Sequence, residues 1–400
     1  MEAVYIYDAI RSPRAKAKES GGLADLRPHD LLKQLYAHLQ ERTGLDPALV
    51  GEVVLGCVTQ HGEQAGNIAK TSAMYAGWPS SVSGLTVNRF CTSGIDAMAI
   101  AALKVAAGQE RAVVAGGVEM MSRVPMLSDK ATAFLDPAFA AQCSMLMMGS
   151  GADLIATLNG VSREQADAIA VQSQQRAAIA RDKGYFKSIV AIHNPVKGID
   201  VTVDECIRPD VTVASLGTMP AAFADIGARG VDALQLAPHH ELAAIDHVHT
   251  AGNSPAMADA ATLVLLGDES LGKELGAQPR ARLVASATAS DDPLQVLSGC
   301  VAATQKLMQQ ENLQADGVDL FEVHEAFAAT VVKIQRDLGI DDDVLNVNGG
   351  VIALGHPLGA TGAIMAGVLL DELERRDRYR GIVAASGAGG SGSALLIERN

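Results

Sequence analysis

The chain has 400 residues, of which 48% are hydrophobic and 4% aromatic, so two packed units are expected and disorder is excluded. A formal net charge of −14 opposes binding to nucleic acids or anionic membranes, although a local basic pocket is compatible with a phosphorylated ligand. No apolar stretch is long enough to cross a bilayer, and the first basic residues follow the first apolar run, unlike in a signal peptide. We therefore expect a cytoplasmic protein without a transmembrane segment.

Periodicity predicts alternating strands and helices at both ends of the chain. The first series is strand 4–8, helix 29–42, strand 53–58, helix 68–76, a strand ending at 87, helix 93–107 and strand 112–115. The last third repeats this order with strand 282–286, helix 296–310, strand 319–323, helix 326–338, strand 344–347, helix 361–374 and strand 382–385. This repetition predicts two βα halves that form a five-layered α/β body, with mainly parallel sheets and a shared central helix layer.

Between the halves, the alternation gives way to loops and short helices punctuated by prolines. We therefore expect an N-terminal half at 1–118, an inserted loop domain at 119–250 and a C-terminal half at 251–400, with 251–275 returning to the N-terminal half. Loops above a rigid α/β body commonly bind the ligand, so the insertion is expected to contact the substrate.

The cysteines do not form a metal or disulfide pattern. Their number is odd and no CxxC pair occurs, so we expect free thiols and no metal site. The five cysteines are Cys57, Cys91, Cys143, Cys206 and Cys300. Cys91 directly follows an apolar strand and precedes an Ala-rich helix. There, unpaired backbone N–H groups and the helix dipole favour a nucleophilic thiolate. A small buried thiol is the alternative interpretation.

Two histidines occupy similar strand-to-helix turns in the second half of the chain. His356 lies in GGVIALGHPLGATG, where glycines and a proline predict a tight turn presenting an imidazole that accepts a thiol proton. His324, in VHEAFAAT, follows a strand at its carboxyl end, where α/β sheets place ligands. The alternatives are a turn histidine bonded to backbone for His356 and a helix cap for His324. With Cys91, the two histidines suit covalent acyl transfer.

The segments around these residues resemble signature blocks of the thiolase family. They are VNRFCTSG, VHEAFAAT, NVNGGVIALGHPLGATG and SGAGGSGSALLIE, joined by RSPRAKAKESGGLADLRPHDL, AGGVEMMSRVP and TAGNSPAMADAA. The resemblance covers nearly the whole chain. HEAF in place of the commoner NEAF, with PHDL and MSRVP, is most similar to the thiolase subunit of the fatty-acid β-oxidation complex. The resemblance to the family implies the thiolase-like αβαβα fold.

By this resemblance, Cys91 becomes acylated, His356 activates it, and His324 holds a water or helps to bind the thioester oxygen. The resemblance also implies that oxyanions are stabilised by His324, His356 and backbone N–H groups, including those of Cys91 and Ala388. In the family's last block a cysteine moves the proton at the α-carbon, and this chain has Ser386 at that position. We expect Ser386 to supply or relay the proton, although a hydroxyl is a far weaker acid than a thiol.

The substrate-binding positions match the family unevenly. Met147 and Met148 match a His-Met pair that lines the acyl and pantetheine tunnel, with ordinary apolar packing as the alternative. Ser254 lies one place from the family serine near the thioester. The basic residue usual before the PAF-like segment is absent, and extra residues separate Phe223 from Thr250. The histidines in or beside this insertion are expected in a solvated loop, with metal binding as the alternative; they are His239, His240, His247 and His249.

The sequence thus predicts an acyltransferase with a Cys91-bound acyl intermediate. It cleaves 3-ketoacyl-CoA thiolytically or runs the reverse Claisen condensation, with coenzyme A as co-substrate and no permanently bound cofactor. The resemblance implies a homodimer or homotetramer, with a β-oxidation partner subunit as a further expectation. One alternative is decarboxylating condensation by a Cys-His-His set, as in ketoacyl synthases. Another is a non-catalytic subunit of this fold that binds CoA thioesters.

Overall fold

The computed structural model describes residues 2–399. Its strands are β1 (Val4–Arg11), β2 (Ala15–Lys16), β3 (Glu52–Gly56), β4 (Ser83–Val87), β5 (Ala112–Met120), β6 (Ile192–Asn194), β7 (Ile199–Val201), β8 (Ala258–Gly267), β9 (Ala281–Ser290), β10 (Leu320–Val323), β11 (Arg380–Ser386) and β12 (Ser391–Glu398). Its α-helices are α1 (Pro28–Thr43), α2 (Ile68–Tyr75), α3 (Ser93–Ala106), α4 (Thr132–Leu135), α5 (Pro137–Cys143), α6 (Met148–Asn159), α7 (Arg163–Asp182), α8 (Val213–Gly217), α9 (Ala224–Ile226), α10 (Asp232–Leu236), α11 (Glu269–Leu275), α12 (Gly299–Gln310), α13 (Ala328–Leu338), α14 (Val351–Leu354) and α15 (Thr361–Arg376).

Ten strands form one mixed sheet. Its order is β10-β11-β12-β9-β1-β8-β5-β3-β4, with β2 beside β8, while β6 and β7 form a separate hairpin. The pairs β3–β4, β3–β5 and β10–β11 are parallel, and the other pairs are antiparallel. The expectation of mainly parallel sheets is therefore wrong. One cause is the return of β11 into β12 through a short turn, in which Gly389 and Gly390 have positive φ.

Side chains on opposite faces of each strand enter different cores, and this alternation builds the layers. In β3, Leu55 packs with α1 and α2, whereas Val54 packs with α3 and α15. In β11, Val383 enters that same central core, whereas Ile382 packs with α12 and α13. The two helices α3 and α15 thus form a central layer between the halves of the sheet. This is the five-layered arrangement that the sequence predicts.

The strand predicted at 344–347 does not form. Leu345 makes a single parallel bridge to Phe321, whose N–H donates to the Val344 carbonyl at 2.8 Å and whose carbonyl accepts from Asn346 N–H at 2.9 Å. Asn346 has a φ of 45°, a left-handed conformation that turns the chain away from the sheet. The segment nevertheless covers the outer edge of β10.

The region predicted as an inserted loop domain contains more regular structure than expected. Its longest helix, α7, has 20 residues and begins with a capping box in which Ser162 accepts from the Gln165 N–H. The strand after this region, β8, pairs with β1 and β5 of the first half. The exact division at 118 and 250 stays a prediction. Within residues 2–399, no helix combines the length and apolarity needed to cross a membrane.

Candidate active site

Cys91 lies in a tight turn between β4 and α3. The preceding residue, Phe90, has a φ of 51°, a conformation that costs a non-glycine residue on the order of 1–3 kcal/mol. Ser93 fixes the turn, since its Oγ donates to the Phe90 carbonyl at 2.5 Å and accepts from Arg89 N–H at 2.9 Å. Asp96 pairs with Arg89 at 3.1 Å and holds the turn on α3. The strained turn therefore places the Cys91 thiol at the wall of a cavity.

His356 reaches this thiol from the loop before α15. Its Nε2 lies 3.1 Å from Cys91 Sγ, and its Nδ1 lies 2.7 Å from the hydroxyl of Thr361. An imidazole that accepts the thiol proton at Nε2 must carry its own hydrogen on Nδ1, so Nδ1–H donates to Thr361. The loop can pass this close to Cys57 because residue 359 is a glycine: a Cβ there would lie only 2.7 Å from Cys57 Cα.

Glu119 joins the two sides of the site from the end of β5. Its fully buried carboxylate accepts from the N–H groups of Val58, Thr59 and Gly359 at 2.9–3.1 Å and from Gln64 Nε2 at 2.8 Å. It thereby holds the loop after β3 to the loop that bears His356. The sequence motifs alone do not reveal this role of Glu119, for which the one signal is a glutamate at the end of an apolar strand.

Burial keeps the cysteine and histidine neutral. Desolvation, followed by the charge of Glu119, raises the pKa of the Cys91 thiol to about 12. The expectation that the start of α3 lowers the pKa of Cys91 is therefore wrong, because burial of this residue, which is only 6% exposed, outweighs the helix dipole. Desolvation also holds the pKa of His356 well below its ordinary value, with His324 and the Arg14 guanidinium as further causes. Thiol and imidazole thus meet as a neutral hydrogen-bonded pair.

Arg14 is a second residue that the sequence interpretation missed. Its side chain is fully buried, and its Nη1 donates to the carbonyl of Gly355, the residue before His356, at 3.3 Å. Among residues 2–399, its Nε and Nη2 find no hydrogen-bond partner. A cationic side chain in RSPRAK gives no signal of burial, since most arginines are exposed.

His324 lies beside His356, with ring centroids 4.5 Å apart. Its Nδ1 is 3.1 Å from the Ser386 carbonyl, which can only accept, so Nδ1 carries the hydrogen and Nε2 bears a lone pair. Within the described chain this Nε2 is buried without a partner. Burial lowers the pKa of His324 to about 4. The helix-cap alternative does not hold, because α13 begins at Ala328 and Phe327 is its N-cap.

The Ser386 hydroxyl points into the protein. It donates to the Leu297 carbonyl at 2.7 Å and accepts from the Cys300 N–H, in the first turn of α12, at 2.9 Å. Ser386 is 1% exposed. Its backbone carbonyl contacts His324, but its side chain bonds the start of α12.

A cavity of about 250 Å³ opens beside Cys91. Most of its wall is apolar, and the residues that line it are Val58, Thr59, Asn88, Phe90, Cys91, Met126, Leu127, Asp129, Ala131, Ala133, Phe134, Met148, Leu358 and Ala388. Met148 thus reaches the cavity, whereas Met147 is the N-cap of α6 and lies outside this lining. The N–H groups of Cys91 and Ala388 donate to no other group of residues 2–399, so both are free for an oxyanion.

Ser254 lines a separate groove of about 440 Å³. Its hydroxyl donates to the Thr250 carbonyl at 2.6 Å. The groove adjoins the site, because the His356 N–H donates to the carbonyl of Ala256 in its wall. Its cationic residues are Lys16, Lys18 and Arg208.

Contrary to the expected solvated loop, His249 is fully buried and His247 partly buried, and both bond the same carboxylate. Asp153, fully buried on α6, accepts from Nδ1 of His247 at 2.8 Å and from Nδ1 of His249 at 2.6 Å. His247 Nε2 also lies 3.1 Å from Asp232 of α10. Among the described residues no cluster of His, Cys, Asp or Glu could hold a metal ion.

Comparison with known proteins gives the family. Residues 4–233 match the model of the thiolase N-terminal domain, and residues 277–399 match that of the thiolase C-terminal domain. The chain belongs to the thiolase family. The β-ketoadipyl-CoA thiolase of Escherichia coli is 35% identical over 100% of both chains. The 3-ketoacyl-CoA thiolase of Citrobacter koseri is 36% identical over 100% of this chain and 99% of its own.

The acetyl-CoA acetyltransferase of Bacillus anthracis has a crystal structure that superposes with a TM-score of 0.87 at 32% identity, covering 100% of this thiolase and 99% of that chain. The predicted family, α/β fold and acyltransferase class are thereby confirmed. In this thiolase, the structure brings Cys91, His356 and His324 together and directs the Ser386 side chain elsewhere. The roles assigned to individual residues stay predictions.

Proposed function

We propose that this thiolase transfers acyl groups between CoA thioesters through an acyl-Cys91 intermediate, most directly in the thiolytic cleavage of 3-ketoacyl-CoA or its reverse. The observation that carries the proposal is the 3.1 Å contact between His356 Nε2 and Cys91 Sγ at the wall of an apolar cavity. The thiol proton passes to Nε2 as Sγ attacks the carbonyl carbon, so that a neutral pair becomes reactive only with substrate present.

The oxyanion formed by this attack lies among three donors: two backbone N–H groups and one water. Cys91 and Ala388, whose backbone N–H groups are free, both line the cavity. His324 contributes indirectly: a water that donates one hydrogen to its Nε2 lone pair has a second hydrogen for the oxyanion. This assignment follows from the bond between His324 Nδ1 and the Ser386 carbonyl, which leaves Nε2 without a hydrogen.

Coenzyme A is proposed as a co-substrate that lies along the groove beside Ser254, with no permanently bound cofactor. Three cationic residues line this groove in a protein of net charge −14, and they suit the phosphates of coenzyme A. The single acidic residue there, Glu205, already accepts from the backbone N–H groups of Lys16 and Gly22. Lys16, Lys18 and Arg208 would thus replace the basic residue that the PAF-like segment lacks.

The acyl chain is proposed to be uncharged. The cavity beside Cys91 includes Phe90 and Phe134 in edge-to-face contact, and its charged lining residue is the acidic Asp129. No cation of residues 2–399 lines it, so a second carboxylate on the acyl chain would find no partner. Acetoacetyl-CoA and 3-oxooctanoyl-CoA should be cleaved with a higher kcat/KM than 3-oxoadipyl-CoA; the reverse order would contradict an uncharged chain.

One experiment tests the proposed activity directly. The protein is incubated with acetyl-CoA, the acetylated residue is located by mass spectrometry, and exchange of labelled coenzyme A into acetyl-CoA is followed. Wild-type protein should carry the adduct on Cys91, and Cys91→Ala should lose both adduct and exchange. Cys143→Ala, at an exposed cysteine on α5, is the matched control and should retain both. Wild-type protein without an adduct would favour a non-catalytic CoA-thioester-binding subunit.

A second candidate reaction is decarboxylating condensation, favoured by the grouping of Cys91, His324 and His356 with a Ser386 hydroxyl bonded elsewhere. Loss of carbon dioxide generates the carbanion without a base. Release of carbon dioxide from malonyl-CoA on the acetylated protein, without cleavage of acetoacetyl-CoA, would select this reaction. The cytoplasmic location, the homodimer or homotetramer and a β-oxidation partner subunit stay predictions.

A further inference from the structure

The thiolytic reaction needs a proton at the α-carbon, and the Ser386 hydroxyl is already engaged. Its one hydrogen donates to the Leu297 carbonyl at 2.7 Å, and its oxygen accepts from Cys300 N–H at 2.9 Å. Both contacts belong to the start of α12. Releasing this hydrogen would leave the buried Leu297 carbonyl without its donor, at a cost of about 1–3 kcal/mol, and turning the side chain toward Cys91 would also leave the Cys300 N–H without its acceptor. The side chain at 386 is therefore a structural element of α12.

The other titratable groups near Cys91 are not placed to give a proton to the α-carbon. His324 holds its hydrogen on Nδ1 against the Ser386 carbonyl, so its Nε2 has none to give. The Glu119 carboxylate accepts four hydrogen bonds and faces backbone N–H groups. Cys300 packs in the outer core between β11 and α12. Cys91 is the one cysteine of residues 2–399 in the lining of the cavity, and Asp129, also in that lining, is exposed to solvent.

We infer that His356 carries the proton of the α-carbon as well as that of Cys91, so that one imidazole serves both transfers and Ser386 neither. This inference rests on the proposed function. Its geometric basis is that Nε2 lies 3.1 Å from Sγ, and the α-carbon of a bound 3-ketoacyl-CoA is two bonds from Sγ once the carbon–sulfur bond has formed. The atom that receives the thiol proton is then next to the atom that needs it.

The steps balance with this single group. Sγ bonds to the ketone carbon while its hydrogen moves to His356 Nε2; the carbonyl re-forms, the bond between the ketone carbon and the α-carbon breaks, and the α-carbon takes the proton from Nε2. Acetyl-CoA leaves. The thiol of a second coenzyme A then gives its proton to Nε2 and attacks the acyl-Cys91 carbonyl, and the departing Cys91 sulfur takes that proton back. Buried surroundings and Arg14 make the charged imidazole a strong acid, which favours delivery to carbon.

The test compares two activities of each protein: exchange of labelled coenzyme A with acetyl-CoA, which involves no α-carbon proton, and cleavage of acetoacetyl-CoA, which requires one. Ser386→Ala and Asp129→Asn should leave the ratio of cleavage to exchange unchanged, even where loss of the α12 contacts lowers both rates together. A true acid/base at either position contributes about 10²–10⁴-fold, so its removal would lower cleavage by that factor relative to exchange and overturn the inference.

The wild-type protein gives a second measurement that needs no variant. With a single imidazole, cleavage and exchange should follow one pH profile. An ionisation in the cleavage profile that the exchange profile lacks would show a second acid/base and overturn the inference. The outcomes separate the two proposals: wild-type protein that exchanges coenzyme A but cleaves nothing retains acyl transfer and removes the His356 route, whereas absence of the Cys91 adduct removes acyl transfer itself.

Discussion

Cys91 and His356 are both uncharged before substrate binds, so their reactivity depends on the substrate. Burial moves the pKa of the thiol upward and that of the imidazole downward, so both shifts disfavour a resting thiolate and imidazolium. The charged pair forms when substrate supplies a carbonyl carbon to Sγ and an oxyanion to the N–H groups. Residues that orient His356 or set its charge therefore control the rate without contacting the substrate.

Thr361 is one of these positioning residues. Replacing it by valine preserves shape but removes the acceptor for His356 Nδ1–H, 2.7 Å away. The rate of coenzyme A exchange should fall by roughly five- to tenfold, the equivalent of one hydrogen bond of about 1 kcal/mol. Thr361→Ser keeps the hydroxyl and should restore the rate. Equal rates for the valine and serine variants, with KM unchanged, would show that the contact does not orient the ring.

Arg14 tests the charge of His356. Removing a buried cation by Arg14→Met should raise the pKa of the imidazole toward its ordinary value of 6.5, because the guanidinium is one cause of the depression. Activity requires the neutral imidazole, so the acidic limb of the pH–rate profile for coenzyme A exchange should move to higher pH. Arg14→Lys keeps the positive charge and should leave the limb in place. A limb that does not move in Arg14→Met would contradict this electrostatic role.

At the scale of elements, periodicity predicts the βα units well because apolar spacing is local. The strand predicted at 344–347 does not form, because the spacing of apolar residues gives no sign of the left-handed conformation of Asn346. Cys91 and His356 were predictable from their turns, and the resemblance joined them. Contacts between residues far apart in sequence could not be predicted in this way. They include the contact of the buried Arg14 with Gly355, the bonds of the Ser386 hydroxyl and the contact between His247 and Asp153.

The extra segment between Phe223 and Thr250, called the insertion here, is held to α6 by the contact of His247 with Asp153. Burial lowers the pKa of its imidazole, but hydrogen bonds to Asp153 and Asp232 outweigh burial, and the net shift is upward from 6.5. Because the pKa of His247 is higher in the folded than in the unfolded protein, its contacts stabilise the fold fully at pH values below the unfolded-state pKa. This stabilisation is lost as the pH rises through the folded-state pKa. Amide protection of 224–245 in hydrogen exchange should therefore fall as pH is raised above neutrality, after correction for the intrinsic exchange rate.

His247→Gln should remove this pH dependence and lower the protection at pH 6, because the hydrogen bonds to Asp153 and Asp232 that raise the pKa of His247 are lost. His240→Gln, at an exposed histidine of the same segment, is the matched control and should behave as wild type. Since α6 begins at Met148 in the cavity wall, loosening the insertion should also raise KM for acyl-CoA. Protection that is independent of pH in the wild type would contradict the role of His247.

On the scale of the whole molecule, the two ends of the sheet differ. The segment around Leu345 covers the edge of β10, whereas the sheet stops at β4, whose sequence SGLTV bears no charge. Beside it, α3 presents Leu103, 58% exposed, next to the half-buried Ile100. An uncharged edge strand beside an apolar helix face favours association with another protein surface. We therefore expect a second copy of this chain to pack against β4 and α3.

Sedimentation velocity should therefore find the wild-type protein as a dimer or a multiple of it, and Leu103→Lys should shift it toward monomer. Ile179→Lys places the same charge at an exposed isoleucine of α7, 52% exposed, and should leave the assembly unchanged. Dissociation should also lower coenzyme A exchange, because the strained Phe90 turn follows β4 directly and loses the support of the covered edge. A wild-type monomer with full activity would refute both the interface and its link to the Cys91 turn.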